Sequence, residues 1–224
     1  MWFSISRHGR PFILAFAVGT LVLAALSDGL GLVGLVLTIW CVAFFRDPAR
    51  VVPNRAGLAV SPADGLIQTV DVAVPPAELQ MDATPRPRVC IFMNVFDVHV
   101  NRTPIAGVIE RIAYRSGKFV NASLDKASDL NERQSLRIRM ADGRDLVCVQ
   151  IAGLIARRIV TDVHEGEALA TGQRIGMIRF GSRVDIYLPV GSQPLVCSGQ
   201  RAIAGETVIA DFASDEPKRG GITR

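Results

Sequence analysis

Two apolar runs, residues 12–26 and 30–45, leave the start of this chain few ways to fold. Neither contains a charged residue, and only Ser27-Asp28-Gly29 separates them. Each is shorter than the ~20 residues that cross hydrocarbon comfortably. Arg7, His8 and Arg10 precede them, Arg46, Arg50 and Arg55 follow, and the break carries a single acid. By the positive-inside rule both outer ends lie on the cytoplasmic side of the cell membrane. The expected element is a helical hairpin dipped in the bilayer, or two short helices that barely span it. Two other readings compete. A signal peptide would use 12–26 as its apolar segment, but a second run follows at once and no small-x-small cleavage site appears. The runs could also form a buried core hairpin in a soluble domain.

From about residue 56 the pattern changes to short β-rich segments between turn signals: 58–60, 65–74, 89–92, 108–114, 135–140, 146–151, 157–163, 174–178, 184–188 and 207–210. Strands at such spacing predict a mainly β (α+β) fold with a sandwich or barrel-like catalytic domain. Residues 75–87 hold four prolines and read as a loop. Residues 121–132 are polar, with room for a short helical turn, and should cover one end of the sheet. One internal echo appears: Gly166-Glu167 and Gly172-Gln173 are spaced like Gly199-Gln200 and Gly205-Glu206. It suggests the turns of biotinyl/lipoyl-type sandwiches, although such turns recur in β proteins generally. The expected organisation is a membrane-associated hairpin at 1–50, a β-rich domain at 51–212 and a flexible charged tail at 213–224.

Net charge is +4 and Arg greatly outnumbers Lys, which suits an anionic surface. No basic run interleaves with aromatics, so phospholipid is favoured over nucleic acid. Cys41, Cys90, Cys148 and Cys197 lie far apart among apolar neighbours, as buried free thiols do, and His8, His99 and His164 are too dispersed for a metal site.

The strand-like run Ile178-Arg179-Phe180-Gly181-Ser182-Arg183-Val184-Asp185-Ile186-Tyr187-Leu188 is interrupted by one Gly-Ser pair. Glycine inside a strand pattern marks a bulge or a close backbone approach. An unhindered Gly181 carbonyl could be attacked by the Ser182 hydroxyl in an N-to-O acyl shift; a bulge with an exposed serine is the plainer reading. Two other stretches carry polar groups among apolar ones. Ser61-Pro62-Ala63-Asp64-Gly65 is a turn signature that sets Asp64 after a proline. In Asn94-Val95-Phe96-Asp97-Val98-His99-Val100-Asn101-Arg102, His99 falls in a strand alternation with Asp97 and Asn101 on its side. Asp64, His99 and Ser182 thus supply acid, base and hydroxyl, a set recognised by geometry rather than chain order.

The Ser-Pro-Ala-Asp-Gly turn, the Phe-Asp-Val-His-Val-Asn-Arg stretch, the Asn131-Glu132-Arg133 triplet and the Arg-Phe-Gly-Ser-Arg-Val-Asp run together resemble the short bacterial and archaeal form of phosphatidylserine decarboxylase, over about residues 40–210. The resemblance implies a proenzyme that cuts itself between Gly181 and Ser182. Residues 1–181 become a β chain, 182–224 an α chain, and Ser182 becomes a covalent pyruvoyl group. Phosphatidylserine in the bilayer would form a Schiff base with that group and lose CO2 to give phosphatidylethanolamine. Asp64 and His99 match the family's acid and base positions, and His99 is the expected donor of the final proton. Longer members carry a second histidine where this chain has Phe96, so that role does not carry over. Phe92, Val95, Phe96 and Val98 could wall an apolar carboxylate pocket, and Arg102, Arg115 and Lys118 could meet the phosphodiester. The alternatives are a membrane-anchored serine hydrolase with an intact Asp64/His99/Ser182 triad, or a biotinyl/lipoyl-like binding module, which lacks an obvious lysine at a hairpin tip.

Overall fold

The computed structural model describes residues 4–117, 131–153, 158–179 and 181–222. The two apolar runs form α1 (Arg10–Leu26) and α2 (Asp28–Phe44). Only Ser27 separates them: it is extended, and its hydroxyl accepts from Leu30 N. Asp28 and Gly29, expected in the break, instead start α2, where a carboxylate favours the positive end of the helix. Glycines let the antiparallel helices close. A Cβ on Gly31 would lie 2.8 Å from that of Ala24, and one on Gly34 3.0 Å from Thr20. Thr20 and Thr38 hydroxyls bond across the seam at 2.8 Å. Small residues plus an interhelical hydroxyl pair make a packing device suited to an apolar solvent. The rest of the surface is Leu, Val and Ile left exposed, and no α1 residue is buried. The hairpin is therefore not a core element of the β domain. Counted with its preceding 3-10 turn, Arg7–Leu26 is long and apolar enough to cross a membrane.

The remainder is mainly β, in an α+β architecture with curled sheets. Among the described residues its strands are β1 (Leu58–Val60), β2 (Gly65–Ala73), β3 (Arg86–Met93), β4 (Val100–Arg102), β5 (Gly107–Arg115), β6 (Arg133–Arg139), β7 (Asp145–Ala152), β8 (Ile159–Thr161), β9 (Ala168–Leu169), β10 (Arg174–Ile178), β11 (Ser182–Tyr187), β12 (Arg201–Ala202) and β13 (Val208–Asp211). One sheet runs β12-β2-β3-β11-β7-β6-β5-β9; smaller sheets run β4-β10-β8 and β1-β13. The large sheet folds around a core that includes Ile67, Ile91, Ile109, Leu136, Ile138, Leu146, Val184 and Ile186. Its other face is closed by Leu79, from a 3-10 turn at Ala77–Leu79, over Val147, Val149, Ile151 and Tyr187. That turn and the start of β3 at Arg86 replace the plain loop expected over 75–87. Residues 118–130, most of the polar stretch expected to cap the sheet, lie outside the described residues.

The hairpin is stapled to this body at its base. Ser6 N donates to Phe45 O and Asp47 N to Ser4 O. The Asp47 carboxylate receives Arg102 at 3.3 Å and Arg174 at 2.6 Å. Phe44 and Phe45 are buried with Cys41 against Met177 of β10, and Phe12 stacks on Phe45. The helices therefore project from the face of the small β4-β10-β8 sheet. Residues 213–222 lie along the surface, where Cys197 Sγ donates to Arg219 O at 3.1 Å. Cys197 is half-buried rather than buried, unlike the other three free thiols.

Candidate active site

β11 runs between β3 and β7, and Ser182 is its first residue, opposite Met93 and Ala152. Side chains alternate along it. Ser182, Val184 and Ile186 face the main core, whereas Arg183, Asp185 and Tyr187 face the other side. There Arg183 holds Asp185 at 2.5 and 2.8 Å and donates to Cys90 Sγ at 3.1 Å. Arg88, bound to Asp71, adds a second cation 3.7 Å from Asp185. This paired charge is fully buried and fixes the strand that carries the serine.

Ser182 is inaccessible to solvent, and its hydroxyl has no hydrogen-bond partner among the described residues. An orphaned buried hydroxyl costs about 1–3 kcal/mol. The exposed-serine reading of the Gly-Ser pair therefore does not hold. Gly181 has φ +68°, and a Cβ there would meet nothing within 4 Å among the described residues. Its glycine answers to backbone conformation, not crowding. The Gly181 carbonyl, the bond Ser182 would attack, accepts the Gly153 N–H at 3.1 Å.

His99 lies against this joint. It was expected within a strand, but the Asn94–Asp97 turn, closed by Asp97 N donating to Asn94 O and Asn94 N to the Asp97 carboxylate, ends regular structure until β4. His99 Nδ1 donates to Asp97 O at 3.0 Å, which leaves Nε2 bare to accept the Gly181 N–H at 3.3 Å. The ring is wholly buried and packs on Phe44 at 4.2 Å between centroids, tilted by 32°. Burial pulls its pKa down to about 4, against the Asp97 carbonyl and carboxylate, which raise it; Arg46 lowers it further. The imidazole is thus neutral near pH 7, with its Nε2 lone pair held by the Gly181 N–H at the Gly181–Ser182 joint. A neutral imidazole in this position can take a proton as a base, and it donates one as an acid only after gaining it.

Asp64 is bonded to other groups. Its oxygens take Arg50 at 2.6 Å and Ala204 N at 2.7 Å, so the structure does not join Asp64, His99 and Ser182 in one hydrogen-bonded line. The carboxylate instead ties the segment leaving the hairpin to the turn before β13. Arg102, a candidate for the phosphodiester, is buried and spent on Gly172 O, Asp47 and Pro48 O. Arg115 is exposed, and Lys118 is outside the described residues. Phe96 is 71% exposed beside the hairpin base, where its carbonyl accepts from Arg46, so it does not wall a preformed pocket. Val98 is buried, and Phe92 and Val95 are partly so.

Sequence reasoning missed two contacts. The Gly153 N–H is a backbone group at the end of an apolar strand, and nothing in Ile151-Ala152-Gly153 marks it. Phe44 had a signal, an aromatic pair closing an apolar run directly before Arg46, but only the fold shows that it covers His99. Behind the site, a file of buried amides runs from Asn101, which donates to Met93 Sδ, through Gln150 at 2.8 Å to Gln134. No cluster of three potential metal ligands occurs among the described residues.

A neutral imidazole pressed on a backbone joint beside an orphaned hydroxyl is the equipment of an enzyme, not of a binding module. The family model for phosphatidylserine decarboxylase matches residues 37–210. The phosphatidylserine decarboxylase proenzyme of Cereibacter sphaeroides is 57% identical over 218 residues, 97% of this chain and 94% of its own. Those of Paramagnetospirillum magneticum and Rhodospirillum rubrum are each 55% identical, over 100% and 98% of this chain and 93% and 94% of theirs. The chain belongs to the phosphatidylserine decarboxylase family, and it is a decarboxylase.

Proposed function

We propose that the chain is a proenzyme that cuts itself between Gly181 and Ser182, and that the product decarboxylates phosphatidylserine to phosphatidylethanolamine and CO2. The observation that carries this is the Ser182 hydroxyl: buried, unpartnered, and next to a carbonyl with its own donor. A structural serine in a core would be bonded. One waiting to add to the neighbouring carbonyl need not be.

The steps balance on this chain's own atoms. Ser182 Oγ bonds to the Gly181 carbonyl carbon as a base, for which His99 Nε2 is suited, takes the hydroxyl proton. The C–N bond between the two residues breaks, the proton returns to the Ser182 nitrogen, and an ester remains. Loss of the Ser182 α-proton expels the Gly181 carboxylate and leaves dehydroalanine; water then replaces its nitrogen, which departs as ammonia. The product is a pyruvoyl group at the head of β11 and two chains, 1–181 and 182–224, held together by the β3-β11-β7 ladder. The pyruvoyl carbonyl supplies an electron sink for decarboxylation. Around it the chain supplies a water-excluding wall, in Phe44 and Met93, and a neutral imidazole.

The hairpin explains how a lipid headgroup reaches a buried site. Its base covers His99, so a membrane holding α1 and α2 would lie directly over the centre. A diacyl lipid leaves the bilayer with difficulty, at ~0.8 kcal/mol per buried methylene, and an enzyme working on its headgroup gains by being held there. We accordingly assign residues 1–50 to the membrane, 51–212 to catalysis on the cytoplasmic side and 213–224 to a tail. Intact-mass analysis of wild type and Ser182→Ala tests the proposal. Two chains are expected from wild type, the smaller blocked by pyruvate, and one from the variant. A single active wild-type chain would refute it.

A further inference from the structure

Asn131-Glu132-Arg133 has no part in the chemistry above. Arg133 is bound to Glu78 at 2.6 and 2.8 Å, and Glu132 accepts Ile159 N at 3.2 Å. Asn131 is 1% exposed, and its Nδ2 donates to Ala152 O at 2.7 Å. Ala152 O and Gly153 N belong to one peptide group, and that same N–H donates to Gly181 O. Asn131 thus grips the far end of the peptide unit whose near end grips the cleavage carbonyl.

We propose that the 152–153 peptide is the oxyanion donor of the self-cleavage step and that Asn131 is its positioning residue. This inference rests on the self-cleavage reading. When Ser182 Oγ bonds to the Gly181 carbon, the C=O π pair moves onto oxygen, while the hydroxyl proton passes to the base. The Gly153 N–H already points at that oxygen and strengthens its bond as charge grows. A bond from Asn131 to the opposite end of the peptide polarises it in the same sense, because hydrogen bonds in series reinforce one another. It also prevents the peptide from turning away. Ala152 N, bonded to Glu132 O at 2.9 Å, fixes the preceding unit, so the peptide is held on three sides.

The test is the rate of chain breakage in purified proenzyme, with and without hydroxylamine. Hydroxylamine attacks an ester carbonyl, leaves a hydroxamate on Gly181 and releases the Ser182 hydroxyl. Asn131→Asp keeps the shape of the side chain and removes the donor. We expect it to slow breakage roughly tenfold, a fraction of the 10²–10³ that loss of a direct donor costs, and we expect hydroxylamine to leave that ratio unchanged. Asn131→Ser, which retains a donor, should recover part of the rate. The double variant Asn131→Asp/Ser182→Ala should melt within a few degrees of Ser182→Ala, which separates positioning from folding. Wild-type breakage in Asn131→Asp, or a deficit that hydroxylamine abolishes, overturns the inference while self-cleavage stands. A double variant that melts far below Ser182→Ala, with Asn131→Ser no faster than Asn131→Asp, makes Asn131 structural and also overturns it. A wild-type chain that never breaks overturns both readings.

Discussion

The large sheet of the β domain consists of two halves that repeat one another, and only one of them carries the Gly181–Ser182 joint proposed to react. The order of the large sheet mirrors itself about the β11–β7 pair: β12, β2 and β3 on one side correspond to β9, β5 and β6 on the other. Ser61-Pro62-Ala63-Asp64-Gly65-Leu66-Ile67 corresponds to Thr103-Pro104-Ile105-Ala106-Gly107-Val108-Ile109. Ser61 Oγ donates to Ala63 O and Thr103 Oγ1 to Ile105 O. Gly205 N donates to Ser61 O and Gly172 N to Thr103 O, and Gly199 N donates to Ile67 O and Gly166 N to Ile109 O. A Cβ on Gly65 would strike Phe92 O at 2.2 Å, and one on Gly107 Arg139 O at 2.4 Å. The register then carries Gly181-Ser182 onto Gly143-Arg144. Both glycines are left-handed, at +68° and +84°. Gly143 turns an exposed hairpin, whereas Gly181 lies under the hairpin base, His99 and Gly153. The left-handed glycine belongs to the scaffold, and the cover is what distinguishes the copy proposed to react.

Removing the cover's base should have the largest effect. His99→Gln is expected to slow self-cleavage by about 10²–10⁴, the usual range for a positioned general base, as read by gel over time. Because burial holds His99 near pKa 4, the wild-type rate should be flat from pH 8 to about pH 5 and fall below that. A fall centred near pH 6.5 would mean that the imidazole titrates as if exposed. The glycine pair gives a matched comparison, since at neither position does an added Cβ meet a described residue within 4 Å. Gly181→Ala and Gly143→Ala should each cost about 1–2 kcal/mol of proenzyme stability, the penalty of the left-handed region. Only Gly181→Ala should slow cleavage, by at least tenfold, as φ relaxes and swings the carbonyl off Gly153. Equal effects on cleavage would dissolve the distinction between the halves.

The same buried imidazole predicts a stability profile. Its folded pKa lies below the unfolded value of about 6.5, so the unfolded chain binds the proton first. Stability should be full above pH 6.5 and decline as pH falls toward 4, by up to about 3 kcal/mol. Urea melts of Ser182→Ala between pH 4.5 and 7.5 measure this, and His99→Gln on that background should flatten the curve over the window.

How legible these halves are in the sequence depends on how local their causes are. The hairpin is written as two charge-free runs, and its break was misplaced by only two residues, because Ser27 caps α2 alone. Strands β1 and β10 fall where alternation sets them, and the others expected lie within a few residues. The strands that reasoning missed, β9 and β12, span two residues each and exist only because a distant partner completes them, while β4 is the short remnant of the strand expected over 94–102. The glycine echo at 166/172 and 199/205 was visible. Its continuation into 61–67 and 103–109 was not, since Ser/Thr, Ala/Ile and Asp/Ala match in role rather than identity. At the site, a Gly-Ser pair inside a strand pattern and a histidine among apolar residues are local signals that a reader can find. The Gly153 N–H and the roof of Phe44 are features of tertiary placement, and the Asp64 partnership with Arg50 depends on where the hairpin's exit segment lands.

An effect on stability alone is expected at that last residue, where one half has Asp64 and the other Ala106. Asp64 is largely buried, with 14% of its side chain exposed, and it holds Arg50, 11% exposed, together with the Ala204 N–H. Asp64→Ala therefore strands a cation and an amide at once. Breaking a fully buried pair costs about 3–5 kcal/mol, and an exposed one under 1. The residual access on both sides puts the loss near 2 kcal/mol, measured by urea melts of the double variant with Ser182→Ala. Ala106 has no such duty, and Ala106→Ser, at an exposed turn position, should change stability by less than about 0.5 kcal/mol. If Asp64→Ala melts like its parent, Asp64 is not the tie between hairpin and turn, and its conspicuous place in one half alone must be sought in the chemistry of the joint.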